Sequence, residues 1–220
     1  MFFYFSYYSP IMVKYSHNQK NMPEQKLKKY AAKRDFKRTS EPSGKRRPAK
    51  MKNYFVIQKH DATNLHYDLR LQIGNVLASW AVPKGPSTDP KVKHLAIRVE
   101  DHPLAYGDFE GTIPAGEYGG GTVMVWDKGT YDNLRVAKPG DGADMEKSLR
   151  QGLIEIRLNG KKLKGGYNLI KTKGFGGAGK NSWLLLKAKD EFAHAKMEPV
   201  KHQPNSAKSG KSMKQIAKSI

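Results

Sequence analysis

Leu65-His66-Tyr67-Asp68-Leu69-Arg70-Leu71-Gln72-Ile73, followed by Gly74-Asn75 and then Val76-Leu77-Ala78-Ser79-Trp80-Ala81-Val82, reads as two β-strands joined by a two-residue hairpin turn. In the first strand, alternation places His66, Asp68, Arg70 and Gln72 on one face and Leu65, Tyr67, Leu69, Leu71 and Ile73 on the other. A strand ordinarily turns such a polar face to water. An imidazole, a carboxylate and a guanidinium at two-residue intervals are also what metal-assisted phosphate chemistry needs. The face is either solvent or an active site.

His60 lies six residues before His66, across a turn expected at Asp61-Ala62-Thr63-Asn64, and can complete a His-His-Asp ligand set that leaves coordination positions open. On spacing alone, the pattern is read more simply as solvated polar residues beside a turn. A second run repeats it: His94, Ala96, Arg98, Glu100 and His102 alternate with Leu95, Ile97 and Val99. If both polar faces line one concave sheet, they offer ligands, phosphate clamps and an acid or base; otherwise they are the outer faces of a half-exposed sheet.

Further strands are expected at 54–58, 121–126, 153–159, 163–171 and 182–188, with the second polar run forming one over 94–100. A short helix is expected at 143–150, stopped by Gly152, and a short basic one at 27–33. The Gly-rich stretches Ile113–Gly121 and Gly174–Lys180 each lead into a strand rather than a helix, so they read as turns, not phosphate cradles. The expected fold is mainly β: a small antiparallel barrel of about eight strands, one or two short helices and an extended basic N-terminal arm.

The formal net charge of +20 over 220 residues is concentrated at the ends. Residues 1–50 hold 13 Lys and Arg against 3 Asp and Glu, and residues 195–220 hold 6 Lys against 1 Glu. Basic ends suit a polyanion such as nucleic acid, through counterion release, better than a membrane surface, since neither shows an amphipathic helical stripe. Cysteine is absent, which excludes disulfides, thiolate metal sites and a Cys nucleophile and fits a reducing cytoplasm. The aromatic opening Met1–Tyr8 lacks a basic leader and meets Pro10 too soon to be a signal or a span. The expected organisation is therefore a disordered extension over 1–26, an arm over 27–53, a barrel over 54–194 and a disordered Lys-rich tail over 195–220, in a cytoplasmic, nucleoid-associated protein.

The chain resembles the 3′-phosphoesterase domain of bacterial DNA ligase D and its free-standing relatives. The likeness is carried by Lys33-Arg34-Asp35-Phe36, Thr39–Pro42, Phe55–His60, Leu65–Leu71, Ser79–Pro86, Val99–Leu104, Phe109–Pro114 and Asn181–Lys187, in order, over about residues 27–194. It implies a metal-dependent enzyme, with manganese favoured, that heals DNA 3′ ends on a primer-template. Such an enzyme removes a 3′-terminal ribonucleoside and then the 3′-phosphate left behind, giving a 3′-OH for non-homologous end joining. A separate DNA ligase, a polymerase or primase and a Ku-type end-binding protein are the partners that role implies.

The resemblance also implies roles for particular residues. His60, His66 and Asp68 would be metal ligands, while Arg70 and Lys84 would hold phosphate oxygens. His102 would contact the scissile phosphate or protonate the leaving oxygen, oriented by Glu100, with Tyr106 donating a hydrogen bond nearby. Asp35 and Glu41 of the arm would complete the site, with Arg34 among the phosphate-binding residues. His94 stands where the family usually has Arg, so weaker phosphate binding or a sharper pH dependence is expected unless Arg98, on the same strand face, substitutes. Two other readings compete. A 2-His-1-carboxylate iron oxygenase would use His66, Asp68 and His102, and a non-catalytic DNA-binding module would use only the basic ends.

Overall fold

Leu65–Ile73 and Val76–Val82 form the expected hairpin, two neighbouring strands in the wall of a barrel. The structure, a computed structural model, describes residues 22–44, 53–135 and 144–219. In chain order come α1 (Met22–Ala32), β1 (Tyr54–Asp61), β2 (Leu65–Ile73), β3 (Val76–Val82), β4 (Lys93–Arg98), β5 (His102–Pro103), β6 (Gly111–Ile113), β7 (Gly121–Asn133), α2 (Met145–Gln151), β8 (Leu153–Gly160), β9 (Lys164–Lys171), β10 (Ser182–Lys187), α3 (Pro199–His202) and α4 (Met213–Ala217). Eight strands form a closed antiparallel barrel in the order β1-β2-β3-β4-β10-β9-β8-β7, with β7 returning to β1. The last strand in sequence, β10, closes the wall between β4 and β9. The short strands β5 and β6 lie off this ring, on β3 and β7.

Alternation sorts the side chains. Tyr67, Leu69, Leu71 and Ile73 of β2 point into the barrel and pack with Trp80, Trp126, Trp183 and Leu169 in one buried core. The intervening positions point outward, where a second apolar cluster forms from Tyr54, Val56, Leu77, Val123 and Val125 of the wall with Tyr30 of α1 and with Tyr106 and Phe109. Tyr106 belongs to a 3₁₀ turn, Leu104–Asp108, that lies over the outer face together with α1. The outer face of the barrel is therefore roofed, not solvated, on the side that carries the polar strand residues.

Most expected elements form within a few residues of their expected bounds. β7 is much longer than expected and carries a bulge opposite Ile57 and Gln58, which lets one strand serve β1, β6 and β8. Gly121, at φ 139°, starts it where any Cβ would collide with the Asp61 carbonyl. α2 is capped by the Asp144 side chain and stopped by Gly152 in the left-handed region, as its sequence signals require.

Two expectations are corrected. The N-terminal segment is helical from Met22, so the part of the expected extension within the described residues is ordered; residues 1–21 and 45–52 lie outside them. The Lys-rich tail is folded: Ile216 of α4 is 3% exposed and joins the barrel core, with Met213 and Val200 packed beside it. Backbone groups tie the segment down, because the Trp126 indole donates to the Gln203 carbonyl at 2.7 Å and Ala207 N–H donates to Val125 O at 2.9 Å. The Lys residues that suggested a loose tail face outward from these few anchors. Among the described residues no helix is long and apolar enough to cross a membrane.

Candidate metal centre and phosphate pocket

Antiparallel register builds the metal group. β1 and β2 pair so that His60 is directly opposite His66 and Gln58 opposite Asp68. The two imidazoles thus stand side by side, ring centroids 4.8 Å apart, and Asp68 follows two residues on along the same face. One ligand atom from each of His60, His66 and Asp68 lies within 4.8 Å of the others.

Backbone carbonyls fix both tautomers. His60 Nε2 is 2.9 Å from the Gly119 oxygen and His66 Nδ1 is 2.8 Å from the Asn64 oxygen. A carbonyl can only accept, so each of those nitrogens carries the hydrogen and the opposite nitrogen keeps its lone pair. Those free nitrogens, His60 Nδ1 and His66 Nε2, both face Asp68 Oδ2 at 3.8 Å. Two neutral imidazole lone pairs and one carboxylate oxygen, each imidazole oriented from behind, fit a divalent transition metal held by three protein ligands. Burial pushes the Asp68 carboxyl up, but its charged surroundings, the Arg70 guanidinium foremost, more than offset it, and the group is held below the usual carboxylate range. His102 is not a member of this ligand group.

The next outward residue of β2 after Asp68 is Arg70, whose guanidinium is clamped on three sides. Nη2 donates to Asp68 Oδ2 at 3.1 Å and Nε to Gln58 Oε1 at 2.7 Å, while Nη1 lies against His102 Nδ1 at 2.9 Å. Gln58 is itself held, its amide nitrogen donating to the carbonyls of Tyr106 and Phe109. This leaves one N–H on each Nη of Arg70 for a ligand. The Tyr106 ring lies under the guanidinium at 4.8 Å and against His102 at 4.7 Å.

The arm supplies a second guanidinium. Arg34 stacks on Tyr30 at 3.8 Å, donates to Glu41 at 2.8 Å, pairs with Glu100 at 3.5 Å and brings Nη2 to 3.5 Å from His102 Nε2. His102 therefore has a guanidinium at each ring nitrogen. Burial first, then the charges of Arg70 and Arg34, push it well below the usual imidazole value, so it is neutral. Whichever nitrogen carries the hydrogen, the other accepts from an arginine. The Glu100 carboxylate turns to Lys33 and Arg34, and it is the Glu100 backbone carbonyl that reaches His102, at 3.0 Å. Burial raises the Tyr106 phenol well above its ordinary value and keeps it a donor.

Of the residues expected at the site, His60, His66, Asp68, Arg70, His102, Tyr106, Arg34, Glu41 and Glu100 converge. Three are not tied into this network. Asp35 is exposed and its carboxylate caps the Lys37 N–H. Lys84 is exposed in the turn after β3. His94 shares its strand face with Ala96, which is buried in the barrel core, and its Nδ1 donates to the Gly85 carbonyl at 2.5 Å.

The expectation that the two polar strand faces line one concave surface fails at His94 and Arg98, because β4 ends at Arg98 and the alternation stops there. The chain turns, and His102 pairs afresh with Leu77 of β3, which resets its side to the outer face. Arg98 is not a substitute for the missing family arginine: its guanidinium is held by Asp101 and by the Ser79 and Val99 carbonyls. Gln58, Ser79, Lys33 and the Gly119 and Asn64 carbonyls are site residues that the sequence reading missed. Gln58 alone had a usable signal, its two-residue spacing before His60.

A family profile described as the DNA ligase D 3′-phosphoesterase domain matches residues 58–171, the stretch that contains the metal group, Arg70 and His102. The chain belongs to this family. It is 46% identical over 198 residues to the multifunctional non-homologous end joining protein LigD of Pseudomonas aeruginosa, an alignment that covers 87% of this chain and 22% of the relative. It is 41% identical over 167 residues to the multifunctional non-homologous end joining DNA repair protein LigD of Mycobacterium tuberculosis, covering 76% of this chain and 20% of the relative. The chain thus spans about a fifth of the length of the curated relatives it matches.

Proposed function

We propose that this chain is a metal-dependent phosphoesterase that heals DNA 3′ ends, removing a 3′-terminal ribonucleoside and then the remaining 3′-phosphate to leave a 3′-OH for repair synthesis and ligation. The observation that carries this reading is the convergence, on one roofed face, of a three-ligand metal group with two clamped guanidiniums and a neutral imidazole. Manganese or a similar divalent metal, held by His60 Nδ1, His66 Nε2 and Asp68 Oδ2, would supply Lewis-acid polarisation of a phosphate oxygen.

Arg70 and Arg34, on either side of His102, present fixed N–H groups to a phosphate beside the imidazole, and because their partners hold them in place, little reorganisation is needed as charge develops. A phosphate entering there offsets the two positive charges that keep His102 neutral. The imidazole then becomes a better base, able to hold a proton and pass it to the leaving oxygen. Tyr106 and Gln58 keep Arg70 and His102 in register. The basic surface attracts the DNA, and the end-joining partners named above remain those that this role calls for. Lys84 enters only as an outlying charge that a longer substrate could meet.

The test is a primer-template carrying one 3′-terminal ribonucleotide or a 3′-phosphate, incubated with manganese, with chelator, and with His66→Ala. Metal-dependent conversion to a 3′-OH, lost in the variant, is expected. An intact primer with folded, metal-loaded protein would reject the reading in favour of a binding module.

A further inference from the structure

Tyr118 is an aromatic residue that the mechanism does not use, yet it stands at the mouth of the pocket. It is 47% exposed, one of few large apolar side chains among the described residues to be so. Its chain neighbour Gly119 gives the carbonyl that orients His60. Its hydroxyl accepts from Lys33 Nζ at 2.9 Å, and the same ammonium lies 4.2 Å from the ring centroid and 3.1 Å from Glu100. The loop under it is pinned as well: Glu117 and Gly120 close successive backbone turns, and the Glu117 carboxylate pairs with Arg38 of the arm at 2.9 Å. The ring is fixed at its tip and its base, has Lys33 over it and the Arg34 guanidinium 5.5 Å from its centroid, and still keeps about half of its surface in solvent.

Beside it runs a groove of about 660 Å³ between α1 and the turn after β4, lined by Tyr118, by Lys26 and Lys29 of α1 and Lys33 just beyond it, and on the far side by Glu100 and Asp101. An exposed, immobilised aromatic at the head of a groove with lysines along one side is an arrangement that binds nucleic acid strands: bases stack on the ring and phosphates meet the ammonium groups.

We propose that Tyr118 seats the nucleobase of the nucleotide whose phosphate enters the metal pocket, while the groove along α1 takes the sugar-phosphate backbone leading to it. This rests on the phosphoesterase reading only for the presence of nucleic acid. Because every base has a π-face, the seat holds any base and requires only that a base be present.

Binding is read first, with no turnover needed. A primer-template ending in the fluorescent base 2-aminopurine is titrated with the metal-loaded protein. Quenching is expected with the wild type and with Tyr118→Phe, and is expected to disappear in Tyr118→Ala. Turnover follows, on otherwise identical substrates whose terminal ribose carries a base or is abasic. The wild type should lose roughly tenfold or more in KM on the abasic end, with kcat little changed, and Tyr118→Ala should show the raised KM on both ends. Manganese affinity should be the same in all three proteins.

Equal quenching in the wild type and Tyr118→Ala, or a Tyr118→Ala defect that persists equally on the abasic end relative to the wild type, would overturn the proposal. Quenching that depends on Tyr118 without any product would support the seat and count against the phosphoesterase reading instead.

Discussion

His102 is buried between two arginines, and that position has a consequence for acid stability. Burial, Arg70 and Arg34 together lower its pKa below the unfolded value of 6.5. Between that value and the folded one, the unfolded chain binds a proton that the folded chain refuses, so stability falls as pH drops below 6.5 and is unaffected by this group above it. Melting temperatures of the metal-free protein should show a shallower acid slope in His102→Asn than in the wild type; parallel slopes would contradict the assignment. At this scale much of the site was legible. His60, His66, Asp68 and Arg70 were marked by alternation along paired strands, a property of local sequence. The Gly119 carbonyl behind His60 was not, because any residue has a carbonyl and only the fold brings this one 59 positions along the chain to the ring.

The elements that complete the site from outside the barrel are held by few, deep contacts. Arg34 and Glu41 form a pair whose side chains are 4% and 0% exposed. Removing Glu41 alone leaves the buried Arg34 with only the longer Glu100 pair, at 3.5 Å, so Glu41→Ala should cost about 3 kcal/mol in urea unfolding. A double Arg34→Met, Glu41→Leu variant should recover most of that stability but not the activity. The C-terminal segment makes a parallel case. Ile216→Ala should cost about 2–4 kcal/mol, where a loose tail would give no change. That segment was misread because its anchors, Val200, Met213 and Ile216, are too sparse among Lys, Ser and Asn to show a helical period. The arm was legible only through its likeness to a family, since buried charged pairs look like surface charge in sequence. The second polar run misled for another reason: alternation predicts a face only while the strand continues, and it breaks between Arg98 and His102.

On the scale of the whole molecule, the +20 charge sets how the protein meets a polyanion. Each phosphate neutralised adds about 0.9 to the slope of log affinity against log salt, so three contacts predict a loss of about 40-fold between 50 and 200 mM salt. A filter-binding series would measure it, and a flat response would remove phosphate contacts from the account. The barrel itself was foreseen, in class and in most of its strands, because short alternating segments and turn residues recur at regular intervals. Its strand order was not, since which strand meets which is decided by contacts far apart in sequence.

β10, which seals the wall between β4 and β9, starts eleven residues after the recognisable family stretch ends at 171. A fragment trimmed to residues 58–171 would keep His60, His66, Asp68, Arg70 and His102, but it would be an open sheet with two raw edges and no Arg34. The stretch by which this protein is known is shorter than the stretch by which it holds together, and anyone cutting the gene at the first boundary should expect inclusion bodies carrying a complete set of metal ligands.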